Sequence, residues 1–570
     1  MYTISKNIKI VSIVSALLGL VLVIIGFLSV PADHAAVEEM LAAEAAAHDG
    51  HGGGHGDTHA VHHAEEEHGG AAHGAQPDAD HNTQSTAAYA NQHEPRGENL
   101  GNVPMNQLER ADELPQGAQL ATGSRNADLV EDAAEGPATL SPLHRGRANI
   151  ADAPAEYTAD AYENNNMYRP GSVAGGPGHD NLFVKTLDEH GNAHGDHDEH
   201  VEHVYTQLTN KPWSALYVAA FFFFMISLGA LAFYAIQYAA SAGWSPLLFR
   251  VMQGVSAYLL PGGIILLVFF ALSAGHLNHL WHWMDGALLN PESPKYDGII
   301  AGKQGFLNVP FFFIRAIIYL TGWVAYRHFS RKFELRQDAA DDNYWYRKTF
   351  KISAMFLVFF IVTESIMAWD WIMSFDPHWF STLFGWYVFA SMFVSGITVI
   401  ALVTIYLKSR GYLEYVNDSH IHDLAKFMFG VSIFWTYLFF SQFLLIWYSN
   451  IPEEVTYFVT RIQDYTLPFW GLLAINFLFP LLILMNSDFK RINWFVVTAG
   501  IFILIGHWLD VFVMVMPSTV GDRWSIGISE IGSILLIGGI FLYVLFNALS
   551  KVPLMPKRNP FIEESKHFHY

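Results

Sequence analysis

Ten long apolar runs limit what this chain can fold into more than any other feature of its sequence. Each is long enough for an α-helix to cross a hydrocarbon layer of about 30 Å, where backbone groups must be hydrogen-bonded within the segment itself. The runs cover roughly residues 9–30, 214–239, 249–272, 306–328, 350–372, 380–407, 422–448, 466–486, 492–515 and 526–549. The sequence therefore predicts an all-α integral membrane protein with ten transmembrane helices, which we number as spans 1 to 10.

Residues 1–30 are predicted to form an N-terminal transmembrane anchor. Lys6 and Lys9 precede an apolar stretch that ends at Pro31, as they would in a signal peptide. This stretch holds about 20 residues, whereas the apolar core of a signal peptide holds roughly 7 to 15. An uncleaved anchor therefore fits better than a signal peptide.

Lysine and arginine occur in every second short loop, and such residues stay on the cytoplasmic side of a membrane. They lie between spans 4 and 5 and after spans 6, 8 and 10: Arg327, Arg331, Lys332, Arg336, Arg347, Lys348, Lys408, Arg410, Lys490, Arg491, Lys551, Lys557 and Arg558. Both termini are therefore predicted to be cytoplasmic. Residues 31–210 are predicted to lie in the periplasm of a bacterium whose inner membrane holds the spans.

The long segment between spans 1 and 2 is acidic and rich in histidine. Residues 31–205 hold roughly 31 Asp and Glu against roughly 7 Lys and Arg, so most of the net charge of −21 is local and nucleic acid is not an expected partner. The histidines form two groups: His51, His55, His59, His62, His63 and His68, then His190, His194, His197, His200 and His203. Zinc or nickel could bind such side chains, but their spacing is irregular. We expect residues 31–210 to be a largely disordered insertion without a fixed metal site.

The chain contains no cysteine, which limits the cofactors that it could hold. Cysteine-ligated iron–sulfur clusters, c-type haem attachment and disulfides are all excluded. A b-type haem needs two inward-facing axial ligands on facing helices, and only His507 lies plainly within a span. We therefore expect no covalently bound cofactor, and any electron carrier would belong to a partner.

Two sequence patterns occur twice, in the same order. An Arg/Lys-x3-Gly-Val-Ser pattern starts at Arg250 in span 3 and again at Lys426 in span 7, and an Asp-x6-Pro pattern starts at Asp370 and again at Asp510. Spans 4 and 8 also share Pro-Phe near their starts. These patterns predict two parallel-repeat four-helix bundles, spans 2–5 and spans 6–9, flanked by spans 1 and 10. The corresponding domains are 211–372, 373–515 and, for the tenth span with a cytoplasmic tail, 516–570.

Ionisable side chains within membrane spans are costly and mark candidate functional positions. They collect in the periplasmic half of the predicted spans: His276, His279, His282, Asp285, Arg315, Glu364, Asp370, His507, Asp510 and Glu530. The three histidines are expected to end span 3 on one broad helix face.

Each of these positions has a structural interpretation and a functional one. Glu364 and His507 would be either buried hydrogen-bonded groups or proton carriers. Arg315 would form an ion pair with Asp370 or Glu364, and the aligned position of the second repeat is a leucine. Arg250 and Lys426 mark the cytoplasmic ends of their spans, where long basic side chains are expected to reach out to the membrane interface.

Three stretches resemble the quinone-associated membrane subunits of bacterial alternative complex III, in the wider family of polysulfide-reductase-type quinol-interacting proteins. They are Ala368-Trp-Asp370-Trp-Ile-Met-Ser-Phe-Asp376-Pro377-His378-Trp-Phe, His282-Trp-Met-Asp285 and Gly506-His507-Trp-Leu-Asp510. The resemblance covers residues 210–550 and, with ten spans, favours the second of that complex's two large membrane subunits. It implies two four-helix bundles, no redox centre in this chain and a quinol pocket near the periplasmic face of the first bundle. It also implies a second homologous membrane subunit, an iron–sulfur subunit and c-type haem subunits as partners.

The function expected on this basis is that of a quinone-associated subunit of an oxidoreductase between quinol and cytochrome c or an equivalent acceptor, with a proton path or a supporting role. A non-covalently bound quinone or menaquinol is the cofactor that this resemblance implies. His282, Asp285, Arg315, Glu364 and Asp370 are the candidates of the first bundle for a quinone pocket or proton path. The second bundle offers His507, Asp510 and Glu530 for a parallel polar path. The alternative is a secondary transporter, since parallel repeats and a Pro-Gly-Gly break in span 3 also fit alternating access, with the histidine-rich loop collecting metal.

Overall fold

The computed structural model describes residues 2–51 and 194–569, and the side chains of residues 2–44 and 200–569. Within these ranges all regular secondary structure is helical. Ten helices are long and apolar enough to cross a membrane: Lys6–Leu28, His200–Ala239, Pro246–Ala274, Val309–Gln337, Tyr344–Phe375, Phe384–Ser409, Asp418–Ser449, Thr466–Leu484, Asn493–Thr519 and Ile528–Ser550. These are spans 1 to 10, and they confirm the all-helical, ten-span prediction.

Spans 3 and 8 are each interrupted by an irregular turn between two α-helices. In span 3 the helices Phe249–Val255 and Leu259–Ala274 are joined by a 3-10 turn, and in span 8 the helices Thr466–Leu473 and Phe479–Leu484 are joined by a π turn, Ala474–Leu478. Among the described residues, four shorter α-helices lie outside the spans: His34–His51, Gly298–Gly302, Pro452–Gln463 and Ile562–Lys566. The helix of span 2 itself starts earlier, at His194.

Spans 2 and 6 form the centre of the helical core. They are the most deeply buried of the ten spans, and they cross at Gly229 and Gly396. A Cβ on Gly229 would overlap the carbonyl group of Met392, so only glycine allows the backbones to approach this closely. Around this crossing, span 2 also packs against spans 3, 5, 9 and 10.

Span 1 packs along span 10 through a stripe of small residues. A Cβ on Gly19 would overlap the backbone of Leu536, and the Ser15 hydroxyl donates to the Leu535 carbonyl at 2.9 Å. Most other side chains of span 1 are exposed, as those of a helix facing lipid would be.

We call the side of the molecule that carries both termini the terminal side, and the opposite side the insert side. On the terminal side, the C-terminal tail packs across the loops of both halves. The Ser565 hydroxyl donates to the Trp244 carbonyl at 2.6 Å, and Asn417 donates to the Phe568 carbonyl at 2.6 Å. The tail therefore joins the loop after span 2 to the loop after span 6.

On the insert side, helix His34–His51 packs against the extended start of the span 2 helix. Val37 contacts Val201 and Val204, and His34 lies 2.5 Å from the carboxylate of Glu202. The sequence predicts a largely disordered insertion over 31–210, and within that range residues 34–51 and 194–210 are helical. Residues 52–193 lie outside the described residues.

The prediction that the helix of span 3 extends through His276, His279 and His282 is wrong. The helix ends at Ala274 with Gly275 as its C-cap, and His276 adopts a left-handed backbone with φ of 56°. His276 and His279 are exposed in the loop, and His282 starts a separate 3-10 turn. The three side chains therefore do not share one helix face.

Candidate functional site

Asp370 and Arg315 form a buried ion pair between spans 5 and 4. Asp370 lies in the last turn of the helix Tyr344–Trp371 and is fully buried. The Nε of Arg315 donates to Asp370 Oδ2 at 2.8 Å and its Nη2 donates to Oδ1 at 2.7 Å, which is the bidentate geometry that makes such pairs strong. The Tyr319 hydroxyl donates to the same carboxylate at 3.2 Å.

The remaining surface of the Arg315 guanidinium is also occupied. Its Nη1 donates to the Phe306 carbonyl at 3.0 Å, and its Cζ lies 3.9 Å from the ring centre of Phe306 and 4.3 Å from that of Phe311. Such contacts hold a guanidinium by cation–π attraction. Of the two partners that the sequence allowed for Arg315, the structure therefore selects Asp370, and both charges are fully engaged.

Glu364 is a second buried carboxyl group of span 5, but it lies apart from this ion pair. Its Oε2 accepts a long hydrogen bond from the hydroxyl of its neighbour Ser365 at 3.3 Å. Its Oε1 is buried without a hydrogen-bond partner among the described residues. Glu364 thus has no cation to hold its charge within the described part of the chain.

Asp510 in span 9 is the counterpart of Asp370, with different partners. Its carboxylate accepts hydrogen bonds from the Tyr387 hydroxyl of span 6 and, at 2.9 Å, from Trp435 Nε1 of span 7. His507 Nδ1 lies 3.5 Å from Asp510 Oδ2 and 2.9 Å from the Ser391 hydroxyl. Spans 6, 7 and 9 therefore meet at Asp510 through hydrogen bonds, and no arginine of the described residues forms an ion pair with it.

The π turn of span 8 lies beside this cluster. It carries Asn476, which is fully buried and packs against Gly506, where a Cβ would overlap the Asn476 amide. Both amide atoms of Asn476 and the Nε2 of His507 have no hydrogen-bond partner among the described residues. Buried polar atoms of this kind normally bind protein or ordered water, and π turns are frequent at functional sites.

A small cavity continues from Asp510 toward the insert side. It measures about 10 Å³, room for one water molecule, and is lined by Tyr387, Gln442, Tyr457 and Arg461 together with six apolar side chains. Arg461 lies on the short helix Pro452–Gln463, donates from Nη1 to the Tyr457 carbonyl at 2.8 Å and places its Cζ 3.4 Å from the centre of the Tyr457 ring. Arg461 is 3% exposed, so its charge acts within the protein rather than in water.

Beyond this cavity, a group of charged residues lies in the insert-side loops. His378 Nε2 lies 2.7 Å from Asp297 Oδ2, Asp376 accepts from the backbone N–H of His378 at 3.2 Å, and Lys303 donates to the Pro377 carbonyl at 2.5 Å. Burial raises the pKa of Asp376. Burial would also raise the pKa of Asp297, but hydrogen bonds from the Ile300 N–H and from His378 hold it below its ordinary value.

The sequence candidates on the insert side lie in helix starts rather than in one pocket. Asp285 caps a 3-10 turn by accepting from the Ala287 N–H at 2.9 Å. Glu530 is buried in the first turn of span 10 and accepts from the Gly527 N–H at 2.8 Å. Both side chains therefore stabilise local backbone turns.

The two basic residues of the repeated pattern have different environments. Arg250 is fully buried, with Nη2 at 2.7 Å from Asp338 and Nη1 at 3.7 Å from Glu334. The expectation that Arg250 reaches out to the interface is therefore wrong, because span 4 supplies these two carboxylates. Lys426 is half exposed and pairs with Asp423 at 3.1 Å, as an interfacial lysine would.

Sequence reasoning missed several residues of the second bundle. In the sequence, Tyr387 and Trp435 cannot be distinguished from other aromatic residues of a span. Tyr457 and Arg461 lie in a loop helix outside the spans. Asp376 and His378 stood in the stretch that carried the family resemblance but lay outside the apolar runs.

Comparisons with known proteins do not identify a family for this chain. No protein-family model matches the chain, and no curated protein matches it. Among the described residues, no group of three or more His, Asp or Glu side chains could hold a metal ion.

Proposed function

We propose that this chain is a quinone-associated membrane subunit of a quinol:cytochrome c oxidoreductase, or of one with an equivalent acceptor. In this proposal its second bundle carries protons and its first bundle has a closed, structural ion pair. The observation that carries the proton role is the contrast between two buried carboxylates. Asp370 is neutralised by Arg315, whereas Asp510 is surrounded by a histidine, a tyrosine and an indole N–H.

The proposed architecture is two parallel-repeat bundles, spans 2–5 and spans 6–9. Two contact sets support it, since Asp370 joins spans 4 and 5 while Asp510 joins spans 6, 7 and 9. In the same proposal the terminal side faces the cytoplasm and the insert side faces the periplasm of a bacterial inner membrane. The histidine-rich segment between spans 1 and 2, predicted over 31–210, would then lie in the periplasm.

The proton path would run from the centre of the second bundle to the insert side. His507 can hold a proton at either ring nitrogen, and its Nδ1 lies between Ser391 and Asp510. From Asp510 the path passes to Tyr387 and then through the cavity that Arg461 lines. His378, between Asp376 and Asp297, would pass the proton to water.

The quinol part of the proposal rests on the family resemblance. It places a quinol near the insert side of the first bundle, close to His282 and Asp285. The electrons would pass to iron–sulfur and c-type haem subunits, because a chain without cysteine offers no thiolate or thioether attachment of its own. A second homologous membrane subunit would complete the membrane part of the complex.

Gentle solubilisation of the native membrane tests the proposed identity. Co-purification with haem-containing and iron–sulfur subunits supports it. In the assembled complex, His507→Phe, alone and together with Glu364→Gln, should lower quinol oxidation or proton release. Thr398→Val is the matched control, because it removes a buried hydroxyl group of span 6 that has no hydrogen-bond partner among the described residues. Unchanged turnover and unchanged proton stoichiometry in the double variant would defeat the proton role.

A secondary transporter is the second candidate, and the irregular turns of spans 3 and 8 favour it. Interrupted helices often form substrate sites in transporters. The two turns do not correspond in the proposed repeat, however, because span 3 aligns with span 7 and span 8 aligns with span 4. A colourless protein that purifies alone and drives metal-stimulated uptake into vesicles would establish the transporter instead.

A further inference from the structure

An apolar groove lies between spans 3 and 4 on the outer surface of the helical core. Its volume is about 440 Å³, and its walls include Leu260, Ile264, Ile317, Thr321 and Ala325. Leu260, Ile264 and Ile317 are each about half exposed, so the groove opens toward the hydrocarbon layer. A cleft of this size and composition is suited to a flexible apolar chain.

The terminal-side end of the groove lies near two arginine residues of span 4. Its span 4 wall follows one helix face through Ile317, Thr321 and His328, and Arg331 is the next residue on that face. Arg327 lies beside this stripe, where the predicted apolar run 306–328 ends. Neither arginine is among the residues that line the groove, but both lie within one helical turn of His328, at its terminal-side end.

Among the described residues Arg327 has no carboxylate partner, and Arg331 is attracted to Glu334 without forming an ion pair with it. The Nε of Arg327 is buried without a hydrogen-bond partner, and neither Arg327 nor Arg331 forms an ion pair among the described residues. Arg331 donates to the Ala548 carbonyl at 3.1 Å, and its charge repels that of Arg327.

Other arginines of the core have their charge balanced. Arg250 is paired with Asp338, and Arg315 is paired with Asp370. A partly buried cation without an anion is costly, and guanidinium groups match the geometry of phosphate oxygens. Arg327 has no such anion among the described residues, and Arg331 shares Glu334 with Arg250, so an anion from outside the described part of the chain would balance the remaining positive charge.

We propose that the groove binds an anionic phospholipid. One acyl chain lies between spans 3 and 4, and the phosphate contacts Arg327 and Arg331. The apolar groove excludes a soluble anion as its main occupant, and a neutral quinol would leave both guanidinium groups unbalanced. Basic pockets between transmembrane helices are known to hold lipid head groups. This proposal does not depend on the quinol or proton role of the protein.

Lipid titration of the purified, delipidated full chain in detergent tests this site. The probes are dioleoylphosphatidylglycerol, which is anionic, and dioleoylphosphatidylcholine, which is not, with bound lipid counted by native mass spectrometry. We expect the anionic lipid to bind more tightly. Arg327→Gln should weaken it about fivefold, and Arg327→Gln with Arg331→Gln about 25-fold, from the energy of a basic residue near an anionic surface. Binding of the neutral lipid should not change in either variant.

Three further variants separate the parts of the site. Arg327→Lys keeps the charge and should keep most of the preference for the anionic lipid. Thr321→Phe fills the groove wall and should weaken both lipids, because it blocks the acyl chain. Lys351→Gln removes an exposed basic residue at the start of span 5, away from the groove, and should change neither affinity.

Several results would overturn the proposal. One is equal affinity for the two lipids, and another is unchanged binding in the Arg327→Gln variant. Displacement of the anionic lipid by inorganic phosphate alone would indicate a soluble-anion site, and displacement by an equimolar isoprenoid quinone would indicate a quinone site. Each variant is compared with the wild type by thermal unfolding, so that a loss of binding is counted only for folded protein.

Discussion

Replacing one partner of the ion pair between Arg315 and Asp370 should destabilise the protein far more than replacing both partners by apolar residues. In Asp370→Asn, Arg315 keeps its positive charge, its bond to the Phe306 carbonyl and its two aromatic contacts, but loses the two short charge-assisted hydrogen bonds of 2.7 and 2.8 Å. An uncompensated buried charge of this kind costs about 3 to 5 kcal/mol. The double variant Arg315→Leu with Asp370→Leu removes both charges and should cost much less than the sum of the single replacements.

A double-mutant cycle measures this difference. The free energy of unfolding is compared for the wild type, Arg315→Leu, Asp370→Leu and the double variant in one detergent at one pH. We expect a coupling energy of about 3 kcal/mol, because each single variant leaves the other charge buried without its partner. Additive single effects, with coupling below about 0.5 kcal/mol, would refute the conclusion that both charges are engaged with each other.

The other predictions concern the second bundle and the insert side. Tyr387→Phe removes a hydrogen-bond donor to the buried Asp510 and should lower the free energy of unfolding by about 1 to 3 kcal/mol, measured by chemical unfolding in detergent; no change would contradict the contact. Gly506→Ala places a Cβ against the Asn476 amide and should cost about 1 to 3 kcal/mol; a thermal unfolding midpoint equal to that of the wild type would show that this packing is loose. The lowered pKa of Asp297 means that its contribution to stability is present above its ordinary pKa of 3.8 and is lost as the pH falls through the folded-state pKa. Asp297→Asn should therefore flatten the pH dependence of unfolding below about pH 4, and an unchanged acid limb would contradict the hydrogen bonds that Asp297 accepts from the Ile300 N–H and from His378.

The spans could be predicted because hydrocarbon imposes a simple length and composition on any helix that crosses it. Side-chain partners could not be predicted in this way, because they depend on how neighbouring helices pack. The sequence placed Arg315 within reach of two carboxyl groups on span 5, but it did not reveal how the two helices are rotated against each other. Glu364 and Asp370 are six residues apart in the sequence, and only Asp370 meets Arg315.

The errors have local physical causes. Arg250 was expected at the interface because the sequence does not show that Glu334 and Asp338 of span 4 approach it. The loop histidines were expected on a helix, although Gly275, a common helix terminator, precedes His276. Tyr387 and Trp435 were not singled out because neutral hydrogen-bond donors look like core or interfacial aromatic residues until their partner is known.

The proposed proton path is tested most directly by the rate and stoichiometry of proton release when the assembled complex carries Asp510→Asn. The measurement uses proteoliposomes with a pH indicator and a quinol substrate, and Thr398→Val serves as the control. We expect proton release to slow by about a hundredfold, the range of a lost proton-transfer group, while haem content and assembly stay normal. Proton release at the wild-type rate and stoichiometry would contradict the proposed path through the second bundle.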